Sequence, residues 1–195
     1  PTSLDLRMPV DRAALQELEA VERELQRRKG KADPSVFAQS LGFRADPWQQ
    51  RVLRSMAQRV LLNCPRQSGK STTASLIAIW LAFYFPGSLI LIVAPSLRQS
   101  GLMVRKVQEA LHRLPSPPVL KTDSKTEASF ENGSTIVSLP ANDEKIRGYS
   151  AVSLLILDEA GDIPDLLFKT LLPMLIVSKG RLMMMGTPRG RRGVF

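Results

Sequence analysis

At 195 residues the chain is long enough for one well-cored domain and too short for two of ordinary size. Its 44% hydrophobic and 23% charged residues, with a mean hydropathy near zero, exclude a disordered chain and a membrane-spanning one. A formal net charge of +9 favours a polyanionic partner, without separating DNA, RNA and lipid headgroups.

Residues 11–30 read as an amphipathic helix, because Leu15, Leu18, Val21 and Leu25 recur at three- and four-residue steps among charged residues. Asp11 stands where a cap is wanted, and Gly30 with Pro34 closes the helix. A short helix is predicted after Pro34 and another over 48–56, set up by Asp46-Pro47. From position 59 onward, short β-rich runs alternate with helical patterns, the signature of a mostly parallel sheet covered by helices. Strands are predicted over 59–63, 89–94, 152–157 and 181–185, and helices over about 70–85, 99–114 and 165–175. Two alternating runs within 128–137 flank Asn132-Gly133, which predicts a β-hairpin decorating the α/β core.

The sole cysteine, Cys64, excludes an internal disulfide and fits a reducing setting. The apolar stretches over 74–85 and 182–185 are too short or too interrupted to span a membrane, and no signal-peptide pattern opens the chain. Arg189, Arg191 and Arg192 form the densest basic cluster, read as a solvated end.

The sharpest chemical feature is Cys64-Pro65-Arg66-Gln67-Ser68-Gly69-Lys70-Ser71-Thr72, which follows a predicted strand and opens a predicted helix. That context suits a phosphate-binding loop. Backbone amides of the loop and helix start can surround a polyphosphate, Lys70 can neutralise its outer phosphates, and the Ser71 hydroxyl can hold Mg2+. The common pattern opens on glycine, whereas this chain has Cys64 there. A second feature, Leu154 to Leu157 followed by Asp158-Glu159, is an apolar strand ending in two carboxylates. A buried parallel strand delivers its last residue to the carboxyl edge of the sheet, where ligands bind. Asp158 is then placed for the metal and Glu159 for orienting the attacking water. Thr187, in Gly186-Thr187-Pro188 after a third apolar strand, is either a sensor of the terminal phosphate or a plain turn residue. Upstream, the Gln49 amide can pair with adenine, and Trp48 either packs on the base or fills the core.

Taken together, in this order and spacing, these features resemble the ATPase domain of phage terminase large subunits. Trp48-Gln49 is similar to that family's adenine motif, 66–71 to its variant P-loop, 155–159 to its acidic strand and 186–188 to its coupling motif. The tracts 93–96 and 146–150 are also similar, so the resemblance covers about residues 40–195. It implies a mostly parallel P-loop NTPase sheet of the additional-strand (ASCE) type, in which the strand over 89–94 or that over 181–185 lies between the P-loop strand and the acidic strand; the family pattern alone selects 181–185. Residues 1–45 are then an N-terminal helical segment and 46–195 the ATPase core. The resemblance further implies ATP and Mg2+ as cofactors and double-stranded DNA, a portal protein and a small terminase subunit as partners. A homo-oligomeric ring on the procapsid, in the host cytoplasm and away from any membrane, is expected, with a monomer in isolation. Because the sequence ends at Phe195, the family's C-terminal nuclease domain and its DNA cleavage are expected to be absent. Two arginines are candidates to stabilise charge on the phosphoryl group in flight: Arg66 in cis and Arg147 from a neighbouring subunit. A superfamily-two helicase-like translocase shares the glutamine, the Ala94-Pro95-Ser96 tract and the Asp-Glu pair. A nucleotide-regulated switch is a third possibility, against which Glu159 argues, since a switch has little need of a water-activating carboxylate.

Overall fold

The structure is a computed structural model and describes residues 12–114 and 117–188. Asp11 and the Arg189, Arg191 and Arg192 cluster therefore lie outside the described residues. Three helices come first: α1 (Arg12–Ala32), α2 (Pro34–Ser40) and α3 (Pro47–Arg54). There follow β1 (Arg59–Asn63), α4 (Lys70–Tyr84), β2 (Leu89–Ala94), α5 (Leu97–Leu111), β3 (Leu120–Asp123), β4 (Glu127–Phe130) and β5 (Thr135–Pro140). β6 (Leu154–Leu157), α6 (Asp165–Leu171) and β7 (Arg181–Gly186) complete the order.

All seven strands join one sheet in the order β1-β7-β6-β2-β5-β4-β3. The first five run parallel, and β4 and β3 add on antiparallel. β7 does lie between β1 and β6, so the strand over 181–186 separates the P-loop strand from the acidic strand as the resemblance implied. β2 and β6 are continuous apolar runs because both faces of the sheet are covered. Alternation then sorts them: Ile90, Ile92, Leu154 and Ile156 join the core beneath α2, α4 and α5, while Leu91, Val93, Leu155 and Leu157 join a second core with Ile146, Ile163 and Leu171. α4 is apolar on nearly every side because it crosses the first core, and no described helix is long and apolar enough to cross a membrane.

The structure refines several expectations. The Asn132-Gly133 hairpin is present, yet it belongs to the main sheet: β5 pairs along its whole length with β2, from Leu89↔Thr135 to Ala94↔Pro140. Its Ile136, Val137 and Ser138 are buried, so the strand needs neighbours on both edges and cannot stand apart as a decoration. β3, mostly exposed at the sheet's edge, carried no alternating signal and was not foreseen. The helix over 165–175 ends at Leu171 and tightens into a 3-10 turn over Leu172–Leu175, since Pro173 lacks an N–H to continue the ladder. β6 starts two residues later than expected because the Val152 N–H donates to the Met174 carbonyl at 3.0 Å, outside the strand ladder.

α1 differs most. It runs through Gly30, which serves as a contact point rather than a stop: the Tyr84 hydroxyl sits where a Cβ would project, and Trp80 Nε1 donates to the Gly30 carbonyl at 2.9 Å. The apolar stripe that predicted the helix is uncovered, with Leu15, Leu18, Val21 and Leu25 at 44 to 62% exposure.

Candidate functional site

Parallel strands β1, β7 and β6 end side by side, which brings the loop after Asn63, the residues after Gly186 and the Asp158-Glu159 pair to one edge of the sheet. The loop over 64–69 is shaped by two left-handed residues, Gln67 (φ 60) and Gly69 (φ 87). Glycine is required at the second position twice over, by its φ and because a Cβ there would strike Gln49 Nε2. Successive amides in such a turn, feeding the N-terminus of the 15-residue α4, make a concave anion cradle. Lys70, only 6% exposed, opens that helix and donates from Nζ to the carbonyls of Cys64 (2.9 Å) and Pro65 (3.0 Å) and to Thr187 Oγ1 (3.3 Å).

Glu159 stands opposite, in a left-handed conformation (φ 45) that non-glycine residues adopt at a cost and that clusters at functional positions. Its Oε2 accepts the Thr187 N–H at 3.3 Å. Thr187 thereby touches both the lysine and the glutamate, which ties together three segments that the sequence keeps far apart. Asp158 is 8% exposed, and its Oδ1 accepts the Glu159 N–H at 3.1 Å. Burial first, and the Glu159 charge second, push its carboxyl up to about 6, against the pull of the Lys106 and Lys70 ammoniums.

A buried carboxyl in this state affects stability. Well below its ordinary value of 3.8 the group is protonated whether the chain is folded or not. As pH rises through 6 the folded protein must ionise it in a buried place, and stability falls relative to a neutral side chain. Asp158→Asn is therefore expected to leave the thermal midpoint unchanged near pH 3 and to raise stability by up to roughly 3 kcal/mol at pH 8. Melting curves at the two pH values check this, and an equal effect at both would contradict it.

The residues present fit a nucleotide and a divalent cation. Ser68 Oγ is buried in the loop with no hydrogen-bond partner, a polar group left for a ligand to satisfy. Ser71 and Asp158 offer hard oxygen donors of the kind Mg2+ takes alongside phosphate oxygens. No group of three or more His, Cys, Asp or Glu side chains forms a metal cage among the described residues.

Gln49 is 4% exposed, and its side-chain oxygen accepts the Asp46 N–H at 2.8 Å while its amide nitrogen lies 3.5 Å from the Ser68 carbonyl. Its carboxamide thus braces α3 and the loop. Trp48 is half-buried against the core beneath α4. Arg66 is exposed in the loop, near Gln67 and Thr72 in sequence, whereas Arg147 is exposed on a 3-10 turn over Glu144–Gly148. A shallow cleft of about 310 Å3 opens beside Arg147, between that turn and Pro164, Leu166 and Thr170 of the α6 region. The structure does not link Arg147 by hydrogen bond to the Lys70, Thr187 and Glu159 group. Sequence reasoning missed Lys106 as a cation acting on Asp158; its only signal was a lysine on a helix that also presents Met103 and Val107 to the core.

Comparison with known proteins places this geometry. The family described as the helicase domain of RNA cytidine acetyltransferase NAT10/TcmA matches residues 61–192. The terminase large subunit of Thermus virus P23-45 is 29% identical over 177 residues, which cover 79% of this chain and 36% of that protein. The chain thus spans about a third of that relative's length. Among solved structures, the large terminase ATPase domain of Thermus phage P74-26 aligns with a TM-score of 0.70 at 26% identity, over 80% of this chain and 70% of that one. The UvsW helicase of bacteriophage T4 shares the fold at a TM-score of 0.52 and 16% identity, over 74% of this chain and 53% of that one.

Proposed function

We propose that this chain, which belongs to the helicase-domain family matched over residues 61–192 and is a phage-type large terminase ATPase domain, hydrolyses ATP to drive double-stranded DNA into a procapsid. The observation that carries the reading is the single connected group of Lys70, Thr187 and Glu159 beside Asp158 at one sheet edge. Loop amides from 66–69, the Ser68 hydroxyl and Lys70 hold the phosphates, with Thr72 in the first turn of α4 supporting them. Ser71 and Asp158 would hold Mg2+, which would supply charge neutralisation for the phosphates. Trp48 and Gln49 are assigned to the base side of the nucleotide, a role supported by the tie of Gln49 to the Ser68 carbonyl of the loop.

Glu159 orients and polarises the attacking water. Its carboxylate is engaged by the Thr187 amide, and Thr187 is engaged by Lys70, so a phosphate that draws Lys70 toward itself loosens Thr187 and releases Glu159. Thr187 then reports loss of the terminal phosphate by the reverse exchange. A ring on a portal, with a small terminase subunit choosing the genome, is the assembly in which this motor works. The helicase-domain family match favours a second reading, a helicase-like translocase acting on nucleic acid without a capsid. Turnover stimulated by procapsids and portal supports the first; stimulation by nucleic acid alone supports the second.

The test separates the two carboxylates. Glu159→Gln should bind ATP and Mg2+ near normally while phosphate release falls by about 10²- to 10⁴-fold. Asp158→Asn should instead raise the Mg2+ concentration needed for half-maximal turnover. Identical behaviour of the two variants in a magnesium titration would show that the division of roles is wrong.

A further inference from the structure

We propose that double-stranded DNA lies along the outer face of α5 and the turn between β3 and β4, held through its phosphates. The assignment rests on the motor reading above. Residues 97–125 carry six basic side chains, Arg98, Arg105, Lys106, Arg113, Lys121 and Lys125, against two acidic ones, Glu109 and Asp123. Both acids are engaged: Glu109 pairs with Arg105 at 3.5 Å, and Asp123 accepts from the Gln108 amide. Arg98, Arg113, Lys121 and Lys125 are exposed and make no ion pair among the described residues.

The fold exposes part of this charge along α5 and the β3–β4 turn, whereas Lys106 is half-buried and acts on Asp158. α5 buries Ser100, Met103, Val104, Val107 and Leu111, which leaves Arg98, Leu102 and Arg105 on its outward side at helical spacing. The turn is tied to that helix by Gln108 Nε2, which donates to the Ser124 carbonyl at 3.0 Å. The Lys125 carbonyl lies 3.8 Å from where a Cβ on Gly101 would project, so the turn rests against the N-terminal half of α5, which also carries Arg98. α5 spans about 22 Å, roughly two thirds of a turn of B-form DNA. By contrast α1 spends its arginines internally, in pairs of Arg23 with Glu19 and of Arg27 and Arg28 with Glu24.

A duplex suits this face because its charge is regular and its capture there needs no base-edge reader, which a packaging motor does not require. The location also gives a mechanical path. α5 starts where β2 ends, next to β6, and packs along α4, whose first residue is Lys70. A shift at the phosphate loop is thus passed through two packed helices to the DNA-bearing face.

The experiment measures binding of a fluorescent 30-base-pair duplex of mixed sequence by anisotropy across a NaCl series, with DNA-free ATPase measured alongside. Arg98→Ala/Lys125→Ala should lose roughly tenfold in affinity, with a log K against log salt slope shallower by about two, and unchanged DNA-free ATPase. Arg98→Lys/Lys125→Arg should restore the slope, and Arg23→Ala/Arg27→Ala on α1 should leave it alone. An unchanged slope in the first variant, or no duplex binding by an ATPase-active wild type, overturns the surface. Absence of ATPase in the wild type defeats the motor reading instead, so the two failures are told apart.

Discussion

Lys70→Ala is expected to abolish measurable ATP turnover, a loss of at least 10²- to 10³-fold, and to weaken nucleotide binding markedly. The lysine is the buried cation of the loop, at 6% exposure, and its ammonium is already held by three oxygens of the site. Alanine removes the charge that balances the outer phosphates in a place where water screens little. It also cuts the tie to Thr187, so the Thr187–Glu159 contact would no longer respond to the phosphate through Lys70. Phosphate release and a fluorescent-nucleotide titration measure the two effects, with a thermal melt to verify that the fold persists. Turnover at the wild-type rate would sink the phosphate-loop assignment.

The sheet was legible where its strands are short apolar runs between turn signals, which is why 59–63 and 89–94 were placed to the residue. Strand order was a different matter. Nothing in Met183-Met184-Met185 says that it inserts between β1 and β6; that came from the resemblance, and the structure agrees. The β4–β5 pair was read locally from Asn132-Gly133, but its membership of the main sheet depends on the pairing of β5 with β2, more than forty residues away in the chain. α1 shows the converse limit. Periodicity correctly predicted a helix, yet an apolar stripe does not say what covers it, and Gly30 looked like a stop when it is where Trp80 and Tyr84 dock.

In the site, residue types that carry chemistry by themselves were legible: the lysine after Gly69, and two carboxylates at a strand end. Relations between them were not. Thr187 was undecided between a sensor and a turn until its hydroxyl and amide were found on Lys70 and Glu159. Gln49 was assigned to a base from its amide chemistry, and that same chemistry is used to hold Asp46 and the loop. The left-handed backbone of Glu159 has no sequence signature, because only tertiary contacts hold a glutamate there.

Arg147→Ala is expected to reduce turnover of the assembled motor by about 10³-fold or more, the scale on which an arginine finger acts. Its turn is rigid: Ile146 beneath it is fully buried, and Asp143 Oδ1 accepts the Lys145 N–H at 2.9 Å. The arginine itself is exposed beside the cleft formed with Leu166, a leucine at 75% exposure, so charge and apolar surface are together available to a neighbouring subunit. Arg66 is exposed in the loop over 64–69, which we propose surrounds the subunit's own nucleotide, and its proposed action is in cis. Mixing inactive variants in the assembled ring distinguishes the two. A Lys70→Ala subunit cannot turn over ATP but still carries Arg147, and can present it to an Arg147→Ala neighbour whose loop is intact. Partial ATPase recovery is expected in that mixture and none when Arg66→Ala replaces Arg147→Ala, because a residue acting in cis cannot be supplied by a neighbour. If assembly is verified and the first mixture stays inactive, Arg147 does not act across the subunit boundary.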